Sequence, residues 1–447
     1  MTVALTKQNA PKRVVTEYTV SILSGLMIVF GAVYPILTVA CLLMNAVYII
    51  LAGEKAAWKL MFALLPFAQV YKVLALGGTS FYTLLEVLMI VAAMIRLKEI
   101  RQKFLIPFVL WAVYVLLGSG LNVLMWIKQL MIPMLIYVFF RSQRPSFKDL
   151  ILHLSVGLLL SSVLALFAFD IPQLLEMMNL SRLWEAEGVV YRFTGLYRDP
   201  NYYTLVIVLC VISMVAFFTS RRMGVEALVL AGVMIYFGAR SASKSFVLML
   251  VAVAMMFVVC MFLNKRYVGG TVTLAVAALG VVAMMAGKLN VFTGVLMRLQ
   301  SGDLTTGRVS TWGRYFAYFG ENGLRLFFGS GINAGFLEET AAHNTYIDLL
   351  YFYGIAGTAL FALTCLRAIG NRARKIRFAN ILPLVCLMAM NMFLSSVDFF
   401  DFPFNLILVF YALQEDFSCL PKGERVAKDR RAYARSARLE AGQINHF

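Results

Sequence analysis

Acidic charge is scarce in this chain: aspartate and glutamate together number 23 in 447 residues, and histidine three. Such a chain cannot dress the surface of a soluble domain with ions. Hydrophobic residues make up 61% of it and the mean hydropathy is +0.81, so composition alone specifies a polytopic membrane protein. Cysteine is also sparse. Cys41, Cys210, Cys260, Cys365 and Cys386 fall in apolar runs and Cys419 opens a basic tail, with no metal-ligand spacing among them. They read as small buried hydrophobes and support neither a disulfide framework nor a zinc site. No internal repeat is visible, and the charged tail is the one low-complexity segment. The N-terminus is short and basic, with no small-residue cleavage site after its first apolar run, and reads as a cytoplasmic tail rather than a removable signal.

What the chain does have is apolar runs from Tyr18 to Leu413. They divide into about fourteen spans of roughly bilayer length, some of them short. The first two, Tyr18–Tyr34 and Ile36–Ala52, are parted only by Pro35, so a single tilted helix or a re-entrant pair leaves twelve or thirteen. Further spans are expected at Trp58–Leu74, Val268–Gly287 and Thr345–Leu366, among others. The expected fold is all-α, with residues 1–17 as a tail, 18–420 as the membrane domain and 421–447 as a second, basic tail. Lysine and arginine cluster at Lys12/Arg13, Arg96 to Lys103, Arg141 to Lys148, Arg221/Arg222, Lys265/Arg266 and Arg367 to Arg377, and again beyond Lys422. With those spans every cluster falls on one side, which places both termini in the cytoplasm. The net charge of +17 is thus mostly a topology signal, aided by anionic lipid, and does not call for nucleic acid.

Two connections on the opposite side, 170–200 and 288–343, exceed the length of simple turns, and loops of that size are usually functional. In the first, Ile171, Leu174, Leu175 and Met178 recur at helical spacing and predict an amphipathic interfacial helix. Asp199 and Pro200 then form a helix start, with Asn201 opening the span and Arg192 and Arg198 beside an electropositive N-terminus. Arginines there suit phosphate, whose oxygens a planar guanidinium binds in pairs; pairing with Glu185, Glu187 or lipid headgroups is the plainer alternative. The second connection carries Arg308 and Trp312 four residues apart, a glycine-rich turn from Gly329 to Gly335 expected to be flexible, and then His343 and Asn344. A further turn holds Arg240 and Lys244, two cations placed against the positive-inside pattern. On a helix, His343, Ile347, Leu350, Gly354 and Gly357 would share one stripe, the glycines letting a neighbour approach the backbone. Imidazole is the one side chain that is ordinarily a base near neutral pH. A solvated histidine at the mouth of an ordinary helix is the bland reading; His153 lies at the inner end of a span and His446 in the tail, so neither competes with His343 for this role.

His343-Asn344 followed by Gly354 and Gly357, Arg192 three residues before Gly195, the Asp199-Pro200-Asn201 helix start and the Arg308/Trp312 pair together resemble the bacterial O-antigen ligase and polysaccharide repeat-unit polymerase superfamily. The resemblance covers roughly Arg192 to Gly357 and does not separate ligase from polymerase; the first half of the chain carries no assignable motif. It implies a GT-C-like membrane glycosyltransferase of about 12–14 transmembrane helices with one large extracytoplasmic loop, in a bacterial cytoplasmic membrane. The donor would be an oligosaccharide on a polyprenyl (undecaprenyl) diphosphate, passed to a glycan acceptor with inversion. His343 would act as general base and Arg192 and Arg308 would hold the diphosphate. Arg198, Asn201, Arg240, Lys244, Trp312 and Asn344 would support them. No cofactor is implied, and the long loops carry no paired aspartates, so no metal is expected. Polymerase is slightly preferred, because nothing marks a lipid A or protein acceptor. Other readings are a lipid-linked oligosaccharide flippase, disfavoured by the absence of repeated halves; a peptidoglycan polymerase using Asp303 or Glu321; and an ion-coupled transporter using Glu86, Lys128 and Asp398.

Overall fold

The computed structural model describes residues 10–74, 80–97, 99–120, 122–178, 182–185, 188–197, 199–220, 223–263, 294, 307–337, 341–370, 378–395 and 401–415. The expected span Val268–Gly287, Arg198, Asp303, Asp398 and the basic tail lie outside them.

Helices dominate. In chain order they are α1 (Ala10–Phe30), α2 (Pro35–Leu51), α3 (Glu54–Leu64), α4 (Phe81–Arg96), α5 (Gln102–Gly118), α6 (Val123–Arg141), α7 (Phe147–Ala165), α8 (Pro172–Met178), α9 (Pro200–Thr219), α10 (Val225–Ala239), α11 (Lys244–Leu263), α12 (Arg308–Glu321), α13 (Gly323–Phe328), α14 (Thr345–Ile369), α15 (Phe378–Asn391) and α16 (Phe402–Gln414). Four of them, α6, α7, α9 and α14, are long and apolar enough to cross a membrane, and several shorter apolar helices accompany them. Pro35 opens α2 as a separate helix, because proline's missing N–H costs nothing in a first turn. Trp58–Leu74 is not one helix: α3 tightens into a 3-10 turn at Leu65–Phe67, where Pro66 has no amide proton to continue the ladder.

The amphipathic helix expected after Ile171 forms over Pro172–Met178, the stretch its apolar periodicity marks, and does not extend into Arg182–Glu185. An antiparallel hairpin follows α8, β1 (Arg182–Glu185) pairing with β2 (Gly188–Tyr191) so that Leu183 faces Val190 and Trp184 faces Val189. Aromatic and β-branched residues fit such a ladder, which explains the change from helix to strand after the roughly two turns of α8.

Packing centres on α9. It is apolar on every side, and 89% of its most hydrophobic window is buried between α7, α10, α11 and α15. A second group, α5, α6 and α14, packs together, with α16 against α6 and α7. α9 therefore has little freedom to shift, and whatever its first turn carries is held in place.

α14 is broken. Gly354 has φ 62° and ψ −174°, so the helix stops hydrogen bonding and restarts. That leaves carbonyls of the preceding turn without helical partners, a loss of about 1–3 kcal/mol for each one left unpaired. The glycine turn supplies replacements: Ser330 N donates to Tyr351 O (2.7 Å) and Gly331 N to Phe352 O (3.1 Å). The Tyr114 hydroxyl sits between the carbonyl oxygens of Phe328 (2.6 Å) and Tyr353 (2.7 Å). The turn expected to be flexible is thus pinned. The close approach anticipated at the two glycines is real, but its agents differ. A Cβ on Gly354 would lie 2.4 Å from Phe327 O, and one on Gly357 would lie 2.4 Å from the Tyr114 ring.

Candidate active site at the start of α9 and α14

Two helix starts build the site. At α9, Asp199 caps the helix by accepting from Asn201 N at 2.7 Å, and Pro200 occupies the first turn. At α14, Asn344 accepts from Tyr346 N (3.0 Å) and Ile347 N (3.3 Å). His343 therefore precedes the helix rather than lying on it, and the stripe through His343, Ile347, Leu350, Gly354 and Gly357 is not continuous: it loses His343 at the cap and is interrupted at Gly354. His343 has φ 48°, a left-handed conformation uncommon outside glycine but more often adopted by histidine and asparagine than by most residues. Such strain persists where surroundings impose it, and functional sites are where it accumulates. Beside it, Trp312 Nε1 donates to Ala342 O at 2.8 Å and holds the residue before His343.

Arg308 begins α12, which lies along α14 through Tyr315 and Tyr318, both ring-packed on Tyr351. Trp312, four residues on, shares a face with Arg308, as the spacing predicted. The Arg308 guanidinium carbon lies 5.8 Å from the centroid of Phe393, in the segment after α15. That segment is the back wall of the site. Thr345 Oγ1 donates to Leu394 O (2.6 Å), and Tyr202 donates to Ser395 O. Nothing in the sequence pattern singled out Phe393, since an apolar residue near a span end is the commonest thing in such a chain.

Electrostatics tie the two helix starts together. The His343 ring keeps contact with solvent, yet the protein atoms around it hold its pKa below the ordinary value. The Arg308 charge pushes in the same direction, and the carboxylate of Asp199 opposes both. Arg308 is likewise lowered by burial and held up by Asp199. A histidine kept neutral beside a guanidinium is a base with a cation at hand. The sequence marks Asp199 only as a cap. Its position two residues before Asn201, among cations, was the available signal for a second role.

The remaining candidates gather at the turn between α10 and α11. Arg192 leaves β2 buried, with Nε donating to Ser241 O at 2.9 Å. Phe193 N reaches Arg240 O, and the Arg240 guanidinium stacks 5.2 Å from the Phe193 ring. Ser243 Oγ donates to Asn201 Oδ1 at 2.8 Å, and Lys244, half-buried, opens α11. Arg192, Arg240, Lys244 and Asn201 thus form one group, and His343, Arg308, Trp312 and Asn344 another. They adjoin at the first turn of α9, where Asp199 faces the second group and Asn201 the first. Arg192 is engaged with backbone, whereas Arg240 is exposed. The carboxylate and cation of the transporter reading are not brought together, for Glu86 is buried in α4 while Lys128 is exposed on α6. Among the described residues no group of histidine, cysteine and carboxylate side chains is arranged to hold a metal ion.

The fold and this site define an α-helical membrane protein with a polar centre at one end of its bundle. Comparison of the chain with protein-family models, with curated proteins and with solved structures returns no match.

Proposed function

We propose that the protein is a membrane glycosyltransferase that transfers a glycan from a polyprenyl diphosphate at the outer face of a bacterial cytoplasmic membrane, as a repeat-unit polymerase or a ligase. The observation that carries this reading is the meeting of His343, just ahead of α14, and Arg308, at the start of α12, beside the Asp199-capped start of α9, with the imidazole's pKa held below its ordinary value. A diphosphate is already a good leaving group, so its transfer needs positive charge and a base rather than a covalent nucleophile. The acceptor hydroxyl gives its proton to His343 as its oxygen attacks the anomeric carbon. The bond from that carbon to the diphosphate breaks in the same displacement, inverting the centre. The departing charge is met by Arg308 and by the exposed Arg240, with the positive end of α9 behind them. Arg192, through Ser241, shapes the turn that presents Arg240.

Purified protein incubated with lipid-linked repeat units tests this directly. A ladder of chain lengths identifies a polymerase, and transfer to a second acceptor a ligase. Movement of the lipid-linked glycan across vesicles with no new linkage would establish the flippase instead. Activity that survives His343→Ala and Arg308→Ala intact would remove both residues from the chemistry.

A further inference from the structure

A cavity of about 570 Å³ lies away from the histidine, between the end of α5, the α13 helix with its glycine turn, and the break in α14. Its size is within the roughly 300–1,000 Å³ of small-ligand sites. The floor is buried and apolar, formed by Val115, Ile332, Phe352 and Tyr353. It is also rigid. Gly331 lies so close to the end of α5 that a Cβ there would come within 2.5 Å of Gly118 O, and the contacts that repair the α14 break fix the wall. Among the described residues one charged side chain lines the cavity. Arg325 is exposed at its mouth, and its guanidinium makes no ion pair or hydrogen bond with the described residues. Around that mouth the surface is apolar: Leu117 is 74% exposed, Leu324 78% and Phe327 48%.

These features have a common explanation in a bilayer. Exposed apolar side chains at a helix end belong in lipid, and a lone cation among them sits at headgroup depth. The opening therefore meets amphiphiles presented head-first, with the phosphate at the arginine and apolar matter against the aromatic floor. A guanidinium is suited to this, since its planar donors take two phosphate oxygens at once and it is weakly hydrated. We propose that this cavity is a lipid-phosphate site, separate from the His343 centre, that holds the phosphate of a membrane amphiphile on Arg325. Two sources carry that chemistry, a polyprenyl phosphate and a glycerophospholipid. The site does not depend on the transfer reaction proposed above, and protein carrying His343→Ala should bind equally well.

The test is ligand binding to detergent-purified full-length protein by native mass spectrometry, with four probes: undecaprenyl phosphate, undecaprenol, phosphatidylglycerol and diacylglycerol. At least one phosphate-bearing probe should bind more tightly than its phosphate-free counterpart. Arg325→Ala should weaken that probe about tenfold, the worth of a charge-assisted contact, and leave the counterpart unchanged. Whichever phosphate binds better names the source. Ala334→Trp, at an exposed lining position, should block the cavity without disturbing the core. Equal binding of each phosphate and its counterpart, or binding indifferent to both substitutions in protein of unchanged melting temperature, would overturn the proposal.

Discussion

α9 and α14 each bring a capped first turn to the site, and they are otherwise opposites. α9 is continuous and 89% of its apolar window is buried, whereas the corresponding window of α14 is 44% buried and the helix is broken at Gly354. The difference lies in what holds each helix. α9 is clasped on all sides by other helices, so its first turn is fixed by hydrophobic packing. α14 is braced at its break by main-chain hydrogen bonds from the glycine turn and by the Tyr114 hydroxyl, so its position depends on a few directional contacts. A reaction centre assembled from both has one partner set by bulk packing and one set by specific bonds.

The largest effect is expected at the chemistry itself. His343→Ala or Arg308→Ala should abolish glycan transfer, by on the order of a hundredfold or more, while the protein still inserts and melts as before. Product formation in purified material checks this. Transfer should also persist in a metal chelator, and activity lost to the chelator and restored by magnesium would contradict the mechanism.

Next in size is the break itself. Gly354→Ala must place a side chain at φ 62° and push a Cβ against Phe327 O and Gly329 N, each 2.4 Å away. A loss of about 3 kcal/mol or more is expected, from left-handed strain together with overpacking. An alanine at Ser213, inside α9, should cost only the hydroxyl's bond to Leu209 O, about 1 kcal/mol. Melting temperatures of the two variants would show whether the bond-braced helix is the more vulnerable.

The charges make a finer comparison. His343 acts as a base only when unprotonated, and its pKa lies below the ordinary histidine value. Transfer should therefore rise with pH on an acid limb below about 6.5 and be flat at neutrality. Arg308→Lys keeps the positive charge and should leave that limb nearly in place. Asp199→Asn removes the group that raises the histidine's pKa, so the limb should move further to the acid side. A pH–rate profile reads both; a shift toward higher pH in Asp199→Asn would contradict the arrangement.

The smallest effect is expected at the caps. Asn344→Ala should cost about 1 kcal/mol of stability, with a larger loss of activity because the cap also sets the residue before it. Equal, small losses in both would make Asn344 a cap and nothing more.

Much of the skeleton could be read beforehand. The start of α9 follows from an aspartate, a proline and an apolar run, and the start of α14 from an asparagine ahead of another. The pairing of Arg308 with Trp312 follows from a spacing of four. The hairpin after α8 could not be read the same way, because Leu183, Trp184, Val189 and Val190 fit either period over so short a stretch. Nor could the fate of Arg192, which depends on a carbonyl 49 residues away.

The chain's own composition determined that it is helical and lives in a membrane, since scarce charge and long apolar runs leave the backbone no way to be satisfied except internally. It also determined the helix starts, because caps act within three residues of themselves. Only the folded arrangement decided that Asp199 would face His343 and Arg308, that Phe393 would stand behind them, and that α14 would break where the glycine turn could repair it. Those outcomes join positions tens to hundreds of residues apart, and no local preference encodes which distant carbonyl or ring a side chain will meet.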